Sequence, residues 1–254
     1  MKILSLNCQK DYNPALAVFL ATTLESGKYD FLLLQELTPA MLARHEGQGK
    51  YKSLRAFNEE AGKESHLCVL YRSEFVLTES TFVSFNSFVP TTHFEMSAFR
   101  AEPGLLAGIF AIGDREVALG SLHLHPGPFP RTRKRELDLV CQSLARFAGG
   151  RAVLFAGDCN FGLPGELRSA DAITAPSLKR LSRNLPPTLD SRYTEFEPNP
   201  INALAVFLAR FGLGIRLRTD HVFGSSALVE LTPISCRVLP DRVSDHSPIE
   251  ITFA

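Results

Sequence analysis

The chain has no excess of either charge: 27 acidic and 27 basic residues give a formal net charge of +0. Nucleic-acid binding is therefore not written into the global charge, and only a local basic surface would serve it. Cysteine is scarce. Cys8, Cys68, Cys141, Cys159 and Cys236 are odd in number and form no C-x-x-C pair. That argues against a disulfide framework and against a cysteine-type zinc site, and it fits a reducing compartment, so a cytoplasmic protein is expected. No apolar run reaches the roughly eighteen residues of a membrane span. The first strand begins at Lys2 with no leader before it, so no secretory signal is expected. Linkers, repeats and low-complexity tracts are also missing, so residues 1–254 read as a single domain, taken as a monomer.

What is present is an apolar fraction of 45%, enough for a substantial core. Apolar alternation and short apolar runs predict strands over 2–7, 30–35, 67–72, 96–101, 105–112, 116–124, 152–157, 216–223, 228–238 and 248–253. Helices are expected over 14–26, 38–46, 131–148, 166–184 and 201–211. The clearest is 131–148, where Leu137, Val140, Cys141, Leu144 and Phe147 share one face and Gly149-Gly150 end it. Many strands with a few long helices between them suggest an α/β fold of two stacked sheets with helices outside.

Polar groups recur at the ends of these apolar runs, where a β-scaffold holds a rigid site. Asn7 ends Lys2–Leu6, and Glu36 follows Phe31–Gln35. His123 lies in Ser121-Leu122-His123-Leu124, and Asp158 and Asn160 follow Val153–Gly157. Asp245 and His246 stand in Ser-Asp-His-Ser-Pro, just before the last strand. A carboxylate such as Glu36 after a buried apolar run needs a cation or donors beside it. Asp158 and Asn160, one residue apart, would face the same way if the strand continued through them. Asp220, in Leu217–Phe223, offers a carboxylate to a histidine, whereas His221 would point to the opposite face of its strand.

The ordered set N…QE…H-L…G-D-x-N…S-D-H resembles the endonuclease/exonuclease/phosphatase superfamily, with its deoxyribonuclease I-like fold. The match runs from Asn7 to His246. The resemblance implies a four-layer α/β/β/α sandwich of two packed mixed sheets flanked by helices. It also implies a hydrolase of phosphoric esters that uses Mg²⁺, with Mn²⁺ as the other candidate. Glu36 would be the principal metal ligand, with Asn7 and Asp245 close by. Asp220 would orient His246, and either His246 or Asp158 would take the proton of the attacking water. His123 would contact the phosphoryl oxygen or protonate the leaving group, and Asp158 and Asn160 would orient water and hold the phosphate. A histidine in this S-x-H-L setting resembles the branch that holds deoxyribonuclease I-like, sphingomyelinase-like, inositol-phosphatase-like and tyrosyl-DNA phosphodiesterase-like members. It implies a phosphodiester substrate, nucleic acid among the possibilities. Lipid or inositol phosphates are the alternative, and a non-catalytic binding module on the same fold is a further one.

Gln9 departs from the N-x-D pattern of many relatives, keeping an oxygen but losing a charge. If it faces the metal it is a neutral ligand; one pleat away it would only bond a loop. Arg131, Arg133, Lys134 and Arg135 open a helix soon after His123. Cations there run against the helix dipole. They read either as a solvated face or as a phosphate clamp, with Arg133 and Arg135 the candidates. Arg216 and Arg218, on the expected face of Asp220, are the other candidates for an anionic substrate. Phe82, Phe85, Phe88 and Phe94 read as packing, with a base-stacking role open to some of them. His125 is a second choice to His123, and His45, His66 and His93 have no supporting context.

Overall fold

Alternate residues of the first strand serve two different cores, and this explains the layering. The computed structural model describes residues 1–9, 14–44, 50–58, 63–85, 104–125, 130–174, 178–190, 216–241 and 243–254. In β1 (Lys2–Asn7), Ile3 packs with Phe31, Leu33, Val69, Leu119, Leu154 and Ile251 between two sheets. Leu4 and Leu6 face the other way, onto Leu16, Leu20 and Leu24 of α1 (Pro14–Ser26) and Met41 and Leu42 of α2 (Pro39–Ala43). This period of two is what a strand buried on both faces must show.

The first sheet adds β2 (Phe31–Gln35), β3 (Tyr51–Asn58), β4 (Lys63–Arg72), β13 (Ile234–Val238) and β14 (Ile249–Phe253), in the order β13-β14-β1-β2-β4-β3. The second holds β5 (Val76–Ser84), β6 (Gly104–Ile112), β7 (Arg115–His123), β8 (Ala152–Asp158), β12 (Asp220–Ser225) and β9 (Leu178–Arg180), in the order β5-β6-β7-β8-β12-β9. A small pair, β10 (Leu189–Asp190) and β11 (Arg216–Leu217), lies apart. Each large sheet has one parallel pair, β1 with β2 and β7 with β8. A parallel pair needs a crossover, supplied by α1 in one case and by α3 (Pro130–Ala148) in the other. The outer face of the second sheet is covered by α3, through Leu137, Val140 and Leu144, and by α4 (Pro164–Thr174), through Ala170. The result is the expected sandwich: helices, sheet, sheet, helices.

Several boundaries differ from expectation. The edge strands β3, β5 and β9 were not anticipated, and 166–184 breaks into α4 and β9. Segment 216–223 is two strands, with Arg218 and Thr219 between β11 and β12, so Arg216 and Arg218 do not share one strand with Asp220. Segment 228–238 opens as helix α5 (Ser226–Leu231). The Ser225 hydroxyl caps it by accepting from Leu228 N–H at 3.3 Å, and Pro233 separates it from β13. The strand expected at 96–101 and the helix at 201–211 lie outside the described residues, as do His45, His93, Phe88, Phe94 and the His66 side chain. Phe82 packs against the core between the sheets, and Phe85 is fully buried beneath the outer helices. Among the described residues, no helix is long and apolar enough to cross a membrane.

On the helical side of the first sheet, Glu250 accepts from Tyr29 Oη at 2.8 Å and from Arg237 Nε at 2.8 Å, and pairs with Lys28 at 3.1 Å. Burial works against the charged carboxylate, but these donors outweigh it and hold Glu250 at about 2, from 4.5. A lowered carboxylate stabilises the fold above its unfolded value, and that stability fades as pH falls from about 4.5 towards 2. Lys28 and Arg237 are largely solvent-exposed, so the contribution is about 1–2 kcal/mol. Glu250→Gln should lower stability by that amount at neutral pH and by nothing near pH 2, read from urea melts across pH. An equal loss at both ends would show that the charge is not what matters.

Candidate active site

The backbone register assembles the site. Asn7 ends β1, Gln35 ends β2, His123 ends β7 and Asp158 ends β8, so all four parallel strands finish at one edge of the sandwich. His123 is registered with Asp158, and Asp158 with Asp220 at the start of β12. Neighbours in register share a face, so His123, Asp158 and Asp220 form a row along the second sheet. Asn7 and Glu36 approach from the first sheet. The Asn7 amide bridges the two, donating to Asp158 Oδ2 at 2.9 Å and lying 3.4 Å from Glu36 Oε1.

His246 joins this row from the loop before β14. Its Nδ1 is 2.7 Å from Asp220 Oδ2, and its Nε2 is 3.7 Å from Asp158 Oδ2 and 3.8 Å from Asp245 Oδ1. His123 Nε2 lies 3.6 Å from Glu36 Oε1 and 3.9 Å from Asp158 Oδ2. Among the described residues, ligand-type atoms of Asp158, Asp220 and His246 cluster within 4.8 Å. Within that trio, Asp220 and His246 are already bonded to each other.

The charge state follows from burial and proximity. Burial alone would strip the proton from His246, but Asp220, Asp245 and Asp158 around it raise its pKa well above the ordinary imidazole value. Asp158 is raised, first by burial and then by Asp220, against the pull of His246 and His123. Burial pushes Asp220 the same way, yet His246, Thr188 and Thr219 win and hold it below the usual carboxylate range. His221, by contrast, is lowered to about 4 by burial and bonds Ser182 at 3.1 Å, away from the row.

Short loops fix these side chains, and three of them pass through the left-handed region at non-glycine residues: Gln9 (φ 56°), Glu36 (φ 53°) and Asn160 (φ 51°). Such backbone persists only where its surroundings enforce it, and it clusters at functional sites. Asn160 does not extend the strand. Its N–H donates to Asp158 Oδ1 at 2.8 Å and its amide to Leu124 O at 2.9 Å, so a turn rather than strand alternation sets its direction. Gln9 Oε1 accepts from Asp245 N–H at 3.3 Å, so Gln9 braces the Ser-Asp-His loop. Ser244 Oγ donates to Asn7 O at 2.8 Å and accepts from His246 N–H at 2.9 Å.

The arginine candidates divide. Arg135 is exposed. Arg216 is exposed and pairs with Asp190 at 3.2 Å, while Arg218 donates to Arg183 O at 2.6 Å. Arg133 is buried and ion-paired with Glu166. Sequence reasoning passed over Thr188, whose hydroxyl accepts from the N–H groups of Thr219 and Asp220 at 3.3 and 3.2 Å. It also passed over Glu136, the buried partner of His125. Neither lies in a recognisable motif; a buried Glu in a basic helix start was the one available signal.

A model of the endonuclease/exonuclease/phosphatase family matches residues 4–246. Zebrafish (D. rerio) TDP2, solved with a single-strand DNA product, is similar in fold: TM-score 0.75, 20% identity, covering 100% of this chain and 98% of that one. A Bacteroides thetaiotaomicron mannosyl-6-phosphatase gives TM-score 0.72 at 16% identity, covering 100% and 99%. A functionally unknown conserved protein from Enterococcus faecalis gives 0.73 at 15%, also covering 100% and 99%. No curated protein sequence matches the chain.

Gly157 carries the close approach of β8 to β7. Its φ is +153°, and a Cβ there would lie 1.9 Å from Leu122 O. Gly157→Ala should cost roughly 2–4 kcal/mol, because backbone and not a flexible side chain blocks the space. Gly165→Ala, with nothing within 4 Å of its Cβ, should be neutral or slightly stabilising. Paired urea denaturation curves check both; a Gly157→Ala midpoint equal to wild type would refute the packing argument.

Proposed function

The chain belongs to the endonuclease/exonuclease/phosphatase family and is a hydrolase of phosphoric esters, and on that premise we propose that it is a divalent-metal-dependent phosphodiesterase. One observation carries the reading: a buried His123–Asp158–Asp220–His246 row faces Asn7 and Glu36 across the end of the sandwich. Four carboxylates, those of Glu36, Asp158, Asp220 and Asp245, surround two imidazoles there, so the donor set is oxygen-rich and negative. That chemistry fits a hard dication such as Mg²⁺, or Mn²⁺ in its place. Glu36, Asn7 and Asp245 would hold it. When bound, the cation would polarise the scissile phosphate and stabilise the leaving oxygen.

The protein's own groups do the rest. Nδ1 of His246 is committed to Asp220, which fixes the tautomer and leaves Nε2 to take the proton of the attacking water. Asp220, Asp245 and Asp158 then stabilise the imidazolium. His123 contacts a phosphoryl oxygen. Asn160, with one amide N–H spent on Leu124, keeps the other for the phosphate. Arg135, Arg216 and Arg218 would meet the extended anionic part of the substrate. The DNA product bound to zebrafish TDP2 supports a diester in a nucleic acid. The mannosyl-6-phosphatase marks the monoester alternative, so both belong in the test.

A panel of plasmid DNA, single-stranded oligonucleotides, RNA, 5′-tyrosyl DNA, sugar and inositol phosphates and sphingomyelin should reveal diester hydrolysis that needs Mg²⁺ and stops with EDTA. Full activity in EDTA would remove the metal from this reading, and no turnover of any ester would favour a binding module. Glu36→Gln, nearly isosteric, should weaken Mg²⁺ binding, and so raise the Mg²⁺ concentration that gives half-maximal rate, without unfolding the protein.

His246→Ala should lower turnover roughly 10²–10⁴-fold. Asp220→Asn should also slow the reaction, and the double variant should lose no more than the worse single one. Asp220 raises the pKa of His246, so removing its charge lowers that pKa. The acid limb of the pH–rate profile should therefore move to lower pH in Asp220→Asn. A limb that stays put would separate Asp220 from the proton transfer.

A further inference from the structure

We propose that Arg133 and Glu136 of α3 form a two-armed clamp that positions the end of β7, which carries His123, and the loop that carries Asn160, and that Arg133 is a positioning residue with no contact to substrate. This rests on the phosphoesterase reading above for its kinetic consequence. The two residues are three apart and so share a helix face. Both are buried, Arg133 with 5% of its surface exposed and Glu136 with 0%.

Glu136 takes hold of the end of β7. Its Oε2 accepts the His125 N–H at 3.0 Å, and its Oε1 pairs with His125 Nδ1. Arg133 takes hold of the loop after β8 through Glu166. The guanidinium pairs with Glu166 Oε1, and Glu166 Oε2 accepts the N–H groups of Gly162 and Leu163, each at 3.1 Å. The same guanidinium lies 5.9 Å from the Phe161 ring centre. Between the two arms the loops bond directly, Leu124 N–H to Asp158 O at 2.9 Å and Asn160 Nδ2 to Leu124 O at 2.9 Å. Every backbone group held this way is within three residues of His123, Asp158 or Asn160.

Energetics favour position over stability as the reason for the pair. A cation in the first turn of α3 opposes the helix dipole, and a buried ion pair seldom repays its desolvation. Glu166, by contrast, is well placed three positions into α4, where it caps free N–H groups as a capping-box glutamate does. Arg133 ties that cap to α3 and thereby couples the β7 and β8 loops to one rigid helix.

The test combines kinetics with amide exchange on the full chain. Arg133→Ala and Glu166→Gln should each cut kcat, by up to roughly 10²-fold for an ångström of misplacement, with KM nearly unchanged. Their double variant should be no worse than the worse single one. In both variants the Gly162 and Leu163 amides should exchange faster while the β8 core amides keep their protection. In Glu136→Gln the His125 amide should behave likewise. Should Arg133→Ala fail to fold, the nearly isosteric Glu166→Gln carries the same measurement. A raised KM with kcat intact, additive losses, or unchanged exchange at Gly162 and Leu163 would each overturn the clamp. If wild type hydrolyses no ester at all, the functional reading fails, and amide exchange alone decides whether the clamp exists.

Discussion

Burying a cluster of like charges is the constraint on which this structure turns. Asp158, Asp220 and Asp245 are almost fully removed from water, together with His123 and His246. An unpaired charge in such a place would cost several kcal/mol. Asp220 and Asp158 are therefore each met from more than one direction. Asp220 receives His246, Thr219 and Thr188; Asp158 receives Asn7 and the Asn160 N–H. Those partners come from the first sheet and from four loops, so the site forms only when the whole sandwich has closed. The bond from Asn7 to Asp158, 151 residues apart, links the two halves at the site itself.

The backbone features follow from that demand. Strand register can align His123, Asp158 and Asp220, but not side chains that arrive after a strand has ended. Left-handed turns at Gln9, Glu36 and Asn160 bring the chain round instead. Their strain is offset by local bonds: Asn7 Oδ1 accepts the Gln9 N–H at 3.0 Å, as Asp158 Oδ1 accepts that of Asn160. Deeper in, Gln35 reaches across the gap to Ser121 at 2.9 Å, and Ser121 donates on to Leu34 O at 3.0 Å. This second cross-sheet link holds β2 against β7 directly below the site, on elements rigid enough to keep its geometry.

The sandwich and the row of site residues were legible in the sequence because both depend on strands buried on two faces. Such strands read as continuous apolar runs, and the polar residue that ends each one stands out. The edges were not legible. β3 and β5 are half-exposed, Thr78, Glu79, Ser80 and Thr81 in β5 dilute its apolar alternation, and β9 is only 3 residues long. The helix α5 misled because its 6 residues are too few to show helical spacing, and only the Ser225 cap and Pro233 mark it. Thr188 and Glu136 lie in no motif, and their partners, the N–H groups of Thr219 and Asp220 for one and the N–H and ring of His125 for the other, are brought near by tertiary contacts. The direction of Asn160 was read from strand alternation, but the turn at Asp158 overrides it.

Electrostatics link the parts of this reading. Four carboxylates face His123 and a protonated His246, so the site is negative before any phosphate arrives. A phosphate ester entering it would be repelled. On the proposed function, Glu36, Asn7 and Asp245 would hold a cation whose charge would offset that repulsion. Metal and ester would then favour each other's binding, and by linkage each would raise the other's affinity by the same factor. The same negative charge keeps a proton on His246 when the site is bare. A dication held by those carboxylates would weaken their hold on that proton and favour the neutral imidazole that a general base requires. Cation, substrate and base would thus become competent together, which is a reason for a phosphoesterase to bury so many carboxylates around one histidine.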